Sequence, residues 1–218
     1  VLLASVADVR ESIGFDDMPD VVSAVRKAMD GVEPRLSAML RTEFGRVDGQ
    51  VDLFFVERPQ VRHAAHVPAV NLRTAGGVRT EMLLSRGFVA PGSVEVLVSS
   101  HVDGFDPEDS PTDITAEVRL NESAGELVSL RHDFRAAWVQ VTYDAGFETD
   151  VDDPQSYDLS QVPSWLQEAA RLATLATLSD NPVFANADAG LDSKSLWQQV
   201  EAVVVPKTRY APTALLSE

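Results

Sequence analysis

The stretch from Trp138 to Leu178 constrains this chain more than any other, because it commits one strand to deliver one helix. Val139, Val141 and Tyr143 alternate with Gln140 and Thr142, the period of a strand with one face buried. Gly146 supplies the backbone freedom to turn out of a sheet, and Pro163 stands where a helix tolerates proline best, in its first turn. Between them Glu148, Asp150, Asp152, Asp153 and Asp158 occur without a basic residue, so this part reads as a solvated loop. From Pro163 to Ser179 the pattern is a helix whose Trp165, Leu166, Ala169, Ala170, Leu172, Ala173 and Ala176 cover more than one narrow stripe. Small residues let helices approach closely. Nothing in the stretch has a catalytic setting, so its interest is architectural.

Upstream, Ser5 is placed to cap a helix from about Val6 to Ile13, with Gly14 as its stop. Val21, Val25, Ala28, Val32, Leu36, Met39 and Leu40 then step by three or four along one side. That phase survives Pro34, which favours one helix bent at the proline over two separate ones. After Phe44-Gly45 the period changes to two. Strands are expected over 51–56, 67–72, 80–84, 94–99, 114–120, 126–130 and 136–143, with Asn121 to Gly125 as a hairpin turn. Trp138 opens its alternating strand and is expected in the core. Beyond the third helix a short amphipathic piece around Leu191 to Val200 is anchored by Leu196 and Trp197. The valine-rich run Ala202 to Val205, then Pro206 and the tail to Leu215-Leu216, reads as extended chain carrying apolar anchors.

These elements predict an α+β protein. Its helical bundle core is built of N-terminal helices plus a C-terminal helix (1–45 and 148–200). A large antiparallel β-region (46–147) is inserted into that core, and an extended C-terminal arm (201–218) completes the chain. At 218 residues and 44 % hydrophobic content the sequence can bury such a core. The 18 Lys and Arg against 34 Asp and Glu give a net charge of −16, which disfavours tight binding to nucleic-acid phosphates. Cysteine is absent, so disulfides and thiolate zinc sites are excluded. No apolar run approaches the roughly 18 residues of a membrane span, and Val1 to Ala4 is too short for a signal peptide. A soluble protein made in the cytoplasm, with no membrane partner, is the expectation.

Candidate chemistry is sparse. His63 and His66 have ligand-like spacing, but the surrounding residues favour loop or strand, and no His-Glu-x-x-His motif supports a metal. The run His101, Asp103, Asp106, Glu108, Asp109 and Asp113 is rich in oxygen ligands. It fails the EF-hand pattern because Pro107 and Glu108 stand where a ligand and the glycine belong. Gly76-Gly77 lacks the ending of a phosphate loop, and no Gly-x-Ser-x-Gly elbow is present. The expectation is therefore a protein without catalytic residues, metal or cofactor.

The run Val141 to Phe147, a polar loop, then Val162-Pro163 and Leu166-Gln167-Glu168-Ala169-Ala170 resembles the C-terminal signature of the head-to-tail connector (adaptor) proteins of tailed bacteriophages. Val6 to Phe15, Asp17-Met18-Pro19-Asp20-Val21 and a long helix ending Leu40-Arg41-Thr42-Glu43-Phe44 are similar to the start of larger adaptors. The chain departs from the smaller adaptors in its long β-region. The resemblance implies a virion neck protein, assembled in the host cytoplasm, that forms a ring of twelve copies below the portal protein. It further implies a C-terminal arm on the portal, a stopper or other tail-side neck protein as the second neighbour, and double-stranded DNA passing through without specific binding. On that footing Trp197, Tyr210, Leu215 and Leu216 are the expected portal contacts. Trp165, Ala169, Ala173 and Ala176 are the expected ring contacts, and Asp150, Asp152 and Asp153 the channel lining. Two alternatives stand beside it: a stopper or tail-terminator, and a metal-dependent enzyme using the histidines of the β-region.

Overall fold

The computed structural model describes residues 3–14, 19–56, 69–74, 77–99, 105, 110–129, 137–148, 159–181, 184 and 192–208. The chain divides into two compact units, one made of Val1–Phe44 with Phe147–Thr208 and the other containing Gly45–Gly146.

The first unit holds four helices: α1 (Val6–Ile13), α2 (Pro19–Leu40), α3 (Ser164–Ser179) and α4 (Ser193–Val204). The Ser5 hydroxyl accepts the amides of Ala7 and Asp8 at 3.1 and 3.4 Å, and Gly14 closes α1 with a left-handed φ of 68°. α2 is one helix of 22 residues with Pro34 inside it. Val21, Val25, Val32, Leu36 and Leu40 are buried along it, so the apolar phase does run unbroken past the proline. α3 lies at the centre and packs on α1, α2 and α4. Its leucines and alanines are buried on nearly every side, and buried Thr174 donates to the carbonyl of Ala170 at 2.7 Å. Pro163 precedes α3 instead of lying in it, and its carbonyl accepts the amides of Leu166 and Gln167.

The second unit is built of β1 (Val47–Val56), β2 (Ala69–Thr74), β3 (Gly77–Leu83), β4 (Glu95–Ser99), β5 (Thr112–Asp113), β6 (Val118–Asn121), β7 (Glu126–Ser129) and β8 (Ala137–Ala145). They form two antiparallel four-stranded sheets, ordered β1-β8-β4-β5 and β2-β3-β7-β6. Val139, Val141, Tyr143 and Ala145 of β8 are fully buried with Phe54, Val96, Met82 and Leu127 in one core. The chain between β3 and β4 ties the sheets together. Leu84 and Val89 donate to the carbonyls of Gly125 and Glu122 in the β6–β7 turn, while Ala90 donates to Asp144 on β8, all at 2.8 to 2.9 Å. A polar clamp under this connection fixes it. The Tyr143 hydroxyl donates to Asp52 at 2.8 Å and accepts the Arg86 amide at 3.1 Å. It also lies 3.0 Å from the Ser85 hydroxyl, and the Ser85 amide donates to Asp52 at 2.6 Å. Burial, with Asp52 beside it, pushes the phenol well above the usual tyrosine range, so it stays protonated as a donor.

Four expectations are corrected. The α+β protein is not a helical bundle core carrying an inserted β-region, because the two sheets have a hydrophobic core of their own and, among the described residues, eight strands stand beside four helices. Sequence period revealed strands but not which of them pair, and it missed β5 and the 3-10 turn Thr115–Glu117 inside 114–120. The extended arm does not begin at 201. α4 continues through Val204 and a 3-10 turn follows over Val205–Lys207, since Leu196, Val200 and Val204 share a buried helical face that overrides the strand preference of valine. Trp138 is not in the core either. It shares a face with Gln140 and Thr142, away from Tyr143, where its ring lies 5.0 Å from that of Phe55.

Replacing Tyr143 by Phe removes a hydroxyl that serves Asp52, Ser85 and Arg86. A loss of about 1–3 kcal/mol in unfolding free energy is expected from urea titration. Gly125 has a φ of 62° and faces the Arg86 carbonyl where a methyl group would clash, so Gly125→Ala should lower the same midpoint. An unchanged midpoint in both variants would contradict the clamp.

Candidate functional site

A cleft of about 410 Å³ lies between α1 and α3 of the helical unit. α1 contributes Asp8, Glu11 and Ser12, and α3 contributes Ser164, Gln167, Glu168 and Arg171. Helical spacing puts Asp8 and Ser12 one turn apart, and the Ser12 hydroxyl donates to the Asp8 carbonyl at 2.7 Å. Arg171 grips Glu168 with two parallel bonds of 2.8 and 2.7 Å, and its remaining terminal nitrogen donates to Ser12 at 2.8 Å. The guanidinium holds the Glu168 carboxyl below the usual glutamate range, and Glu168, assisted by Asp8, raises Arg171 in turn. All three guanidinium nitrogens are thus engaged, and the cleft's own polar groups brace α1 against α3. Among the described residues its lining carries no histidine, and the Ser12 hydroxyl is held between Arg171 and the Asp8 carbonyl.

On α2 and α4 the Arg35 guanidinium lies 3.4 Å from the centre of the Trp197 ring. This cation–π stack contributes about 0.5–1 kcal/mol at an exposed site. Trp197, expected as a portal contact, is therefore half-buried and already covered on one face.

The ring contacts expected on α3 are corrected. Ala169 and Ala173, with Ala176, have no exposed surface, because α1, α2 and α4 use the close approach those small residues permit. Trp165 is half-buried at the start of α3. Tyr210, Leu215 and Leu216, and likewise Asp150, Asp152 and Asp153, lie outside the described residues, as do His63, His66 and His101. Asp113 is exposed, and the Thr115 hydroxyl, together with the Thr115 amide that donates to it at 2.8 Å, holds its carboxyl below the usual range. Among the described residues no group of three or more histidines and carboxylates is arranged to hold a metal ion, and no helix is long and apolar enough to cross a membrane.

No protein-family model matches the chain, and no curated protein matches its sequence.

Two features of this unit differ in how far the sequence announced them. The Glu168–Arg171 pair has the i,i+3 spacing that helix charge patterning favours and could have been read directly. The Arg171–Ser12 bond joins residues 159 apart and had no local signal.

Ala173→Leu should destabilise the isolated protein by about 1–3 kcal/mol through overpacking. A residue held for a neighbouring copy would leave that stability unchanged. Because Glu168 is held below its ordinary range, the contribution of its ion pair is present above that range and is lost as pH falls through the lowered value. Glu168→Gln should therefore flatten the acid limb of the stability–pH curve. An identical limb would show that the pair contributes nothing.

Proposed function

We propose that this chain is a head-to-tail connector of a tailed bacteriophage, a structural neck protein that forms a ring between the portal and the next tail-side protein. One observation carries the reading. The helices drawn from the two sequence segments that resemble connectors, α1 and α2 from one and α3 from the other, pack together in one helical unit although Leu40 and Ser164 lie more than 100 residues apart. Such packing is what a shared ancestral unit would conserve. The charge balance fits the same role. A ring of twelve copies at −16 each would carry about −190, and an acidic lumen lets DNA slide because it offers few cations to the phosphates. Asp150, Asp152 and Asp153 are the proposed lining, and Tyr210, Leu215 and Leu216 the proposed portal contacts.

The test is binding to portal-bearing capsids of the phage that encodes the chain, followed by sedimentation and electron microscopy. The intact chain should co-sediment and add a ring at the portal vertex. Deletion of Tyr210 to Glu218 should abolish binding while leaving the circular dichroism of the helices unchanged. Intact chain that remains in the supernatant would refute the connector reading, and undiminished binding by the deletion variant would refute the portal contact.

A further inference from the structure

The two large apolar side chains most open among the described residues sit on different units: Val51 on β1 and Val205 just after α4, each 51 % exposed. Around Val51 the outer face of the first sheet carries Leu53 and the Phe55–Trp138 ring pair. Across the register, Val51 leads through Thr142 to Glu95, and Leu53 leads through Gln140 and Leu97 to Asp113. The charged side chains in these rows are acidic, and both are exposed.

Val205 has the opposite setting. Lys194, Trp197, Glu201 and Val205 recur at steps of three and four along α4 and its 3-10 extension. Arg35 covers the Trp197 ring, and exposed Lys207 follows Pro206. Lys207 and Arg35 are thus the cations on this side of the tip, Glu201 is the acid on the same face, and Lys194 lies three turns away at the start of α4.

We propose that the two surfaces meet between copies, the α4 tip of one copy seating on the outer face of the β1-β8-β4-β5 sheet of the next. The inference rests on the ring-forming reading and supplies the contact which that reading lacks once the α3 alanines are spent inside the subunit. Two different patches make a heterologous contact, in which every copy both offers and receives, the geometry that closes into a ring. An apolar centre with a charged rim is the usual anatomy of a protein interface. Opposite rim charges set its register and counter the repulsion between copies that each carry −16.

The chain has no cysteine, so Val51→Cys and Val205→Cys can be made singly without background thiols. The two single variants are mixed, alone and with portal-bearing capsids, and treated with a short bismaleimide. The expected product is a cross-linked pair containing one of each variant, absent when either variant is treated alone. The double variant should give a ladder. Lys207→Glu in the Val205→Cys chain should abolish the pair, and Glu95→Lys in the Val51→Cys chain should restore it. A pair formed by Val51→Cys with itself, or no pair in solution and none on capsids that have bound the protein, overturns the inference. A pair formed in solution by a protein that does not bind capsids overturns the connector reading and leaves this contact standing. Neither binding nor pair overturns both.

Discussion

Burial of α3 is the constraint on which the helical unit depends. α1 and α2 come from one end of the sequence and α4 from the other, and all three pack on this one helix. Leu166, Leu172, Leu175 and Leu178 are buried on it, each favourable by about 1.5–3 kcal/mol relative to exposure. Ala169, Ala173 and Ala176 let the neighbouring backbones come close enough to make that burial complete. The polar brace from Arg171 to Glu168 and Ser12 then fixes α1 at the rim, where screening by water makes it an orienting contact more than a source of stability.

The sheet unit answers to a different constraint. β8 lies between β1 and β4, and among the described residues the buried positions of this unit include one charged group. That one is Asp52, whose carboxylate is buried and met by a phenol and an amide. A buried carboxylate is costly unless paired, so its donors come as a set, and the set pins the β3–β4 connection that joins the two sheets. Arg46 extends the same logic at the rim, bridging Asp48 and Asp144 where Gly49 forms a bulge in β1.

Legibility in the sequence followed the range of the interaction. α1 was readable to the residue because its cap, apolar stripe and stopping glycine are local. The span of α2 across Pro34 was readable because the buried phase continues on both sides. The end of α4 was not, since a run of valines has strand preference and only contact with α3 makes it helical. Trp138 was misplaced although the alternation that buries Tyr143 puts Trp138 on the other face. The α3 alanines are legible as a close-packing surface, but composition reports that a face is small without reporting that α1, α2 and α4 meet it. The Asp52–Tyr143 clamp spans 91 residues and had no sequence signal.

Under the proposed connector role, the helical unit is packed before copies assemble, and contacts between copies fall to outer surfaces. The most direct measurement is hydrogen exchange of the α3 amides, compared between the free protein and protein bound to capsids. Packing within one chain predicts that Ala169 to Leu178 are among the slowest amides already in the free protein and that assembly leaves them unchanged. Rapid exchange in the free protein, with protection appearing only on assembly, would contradict it.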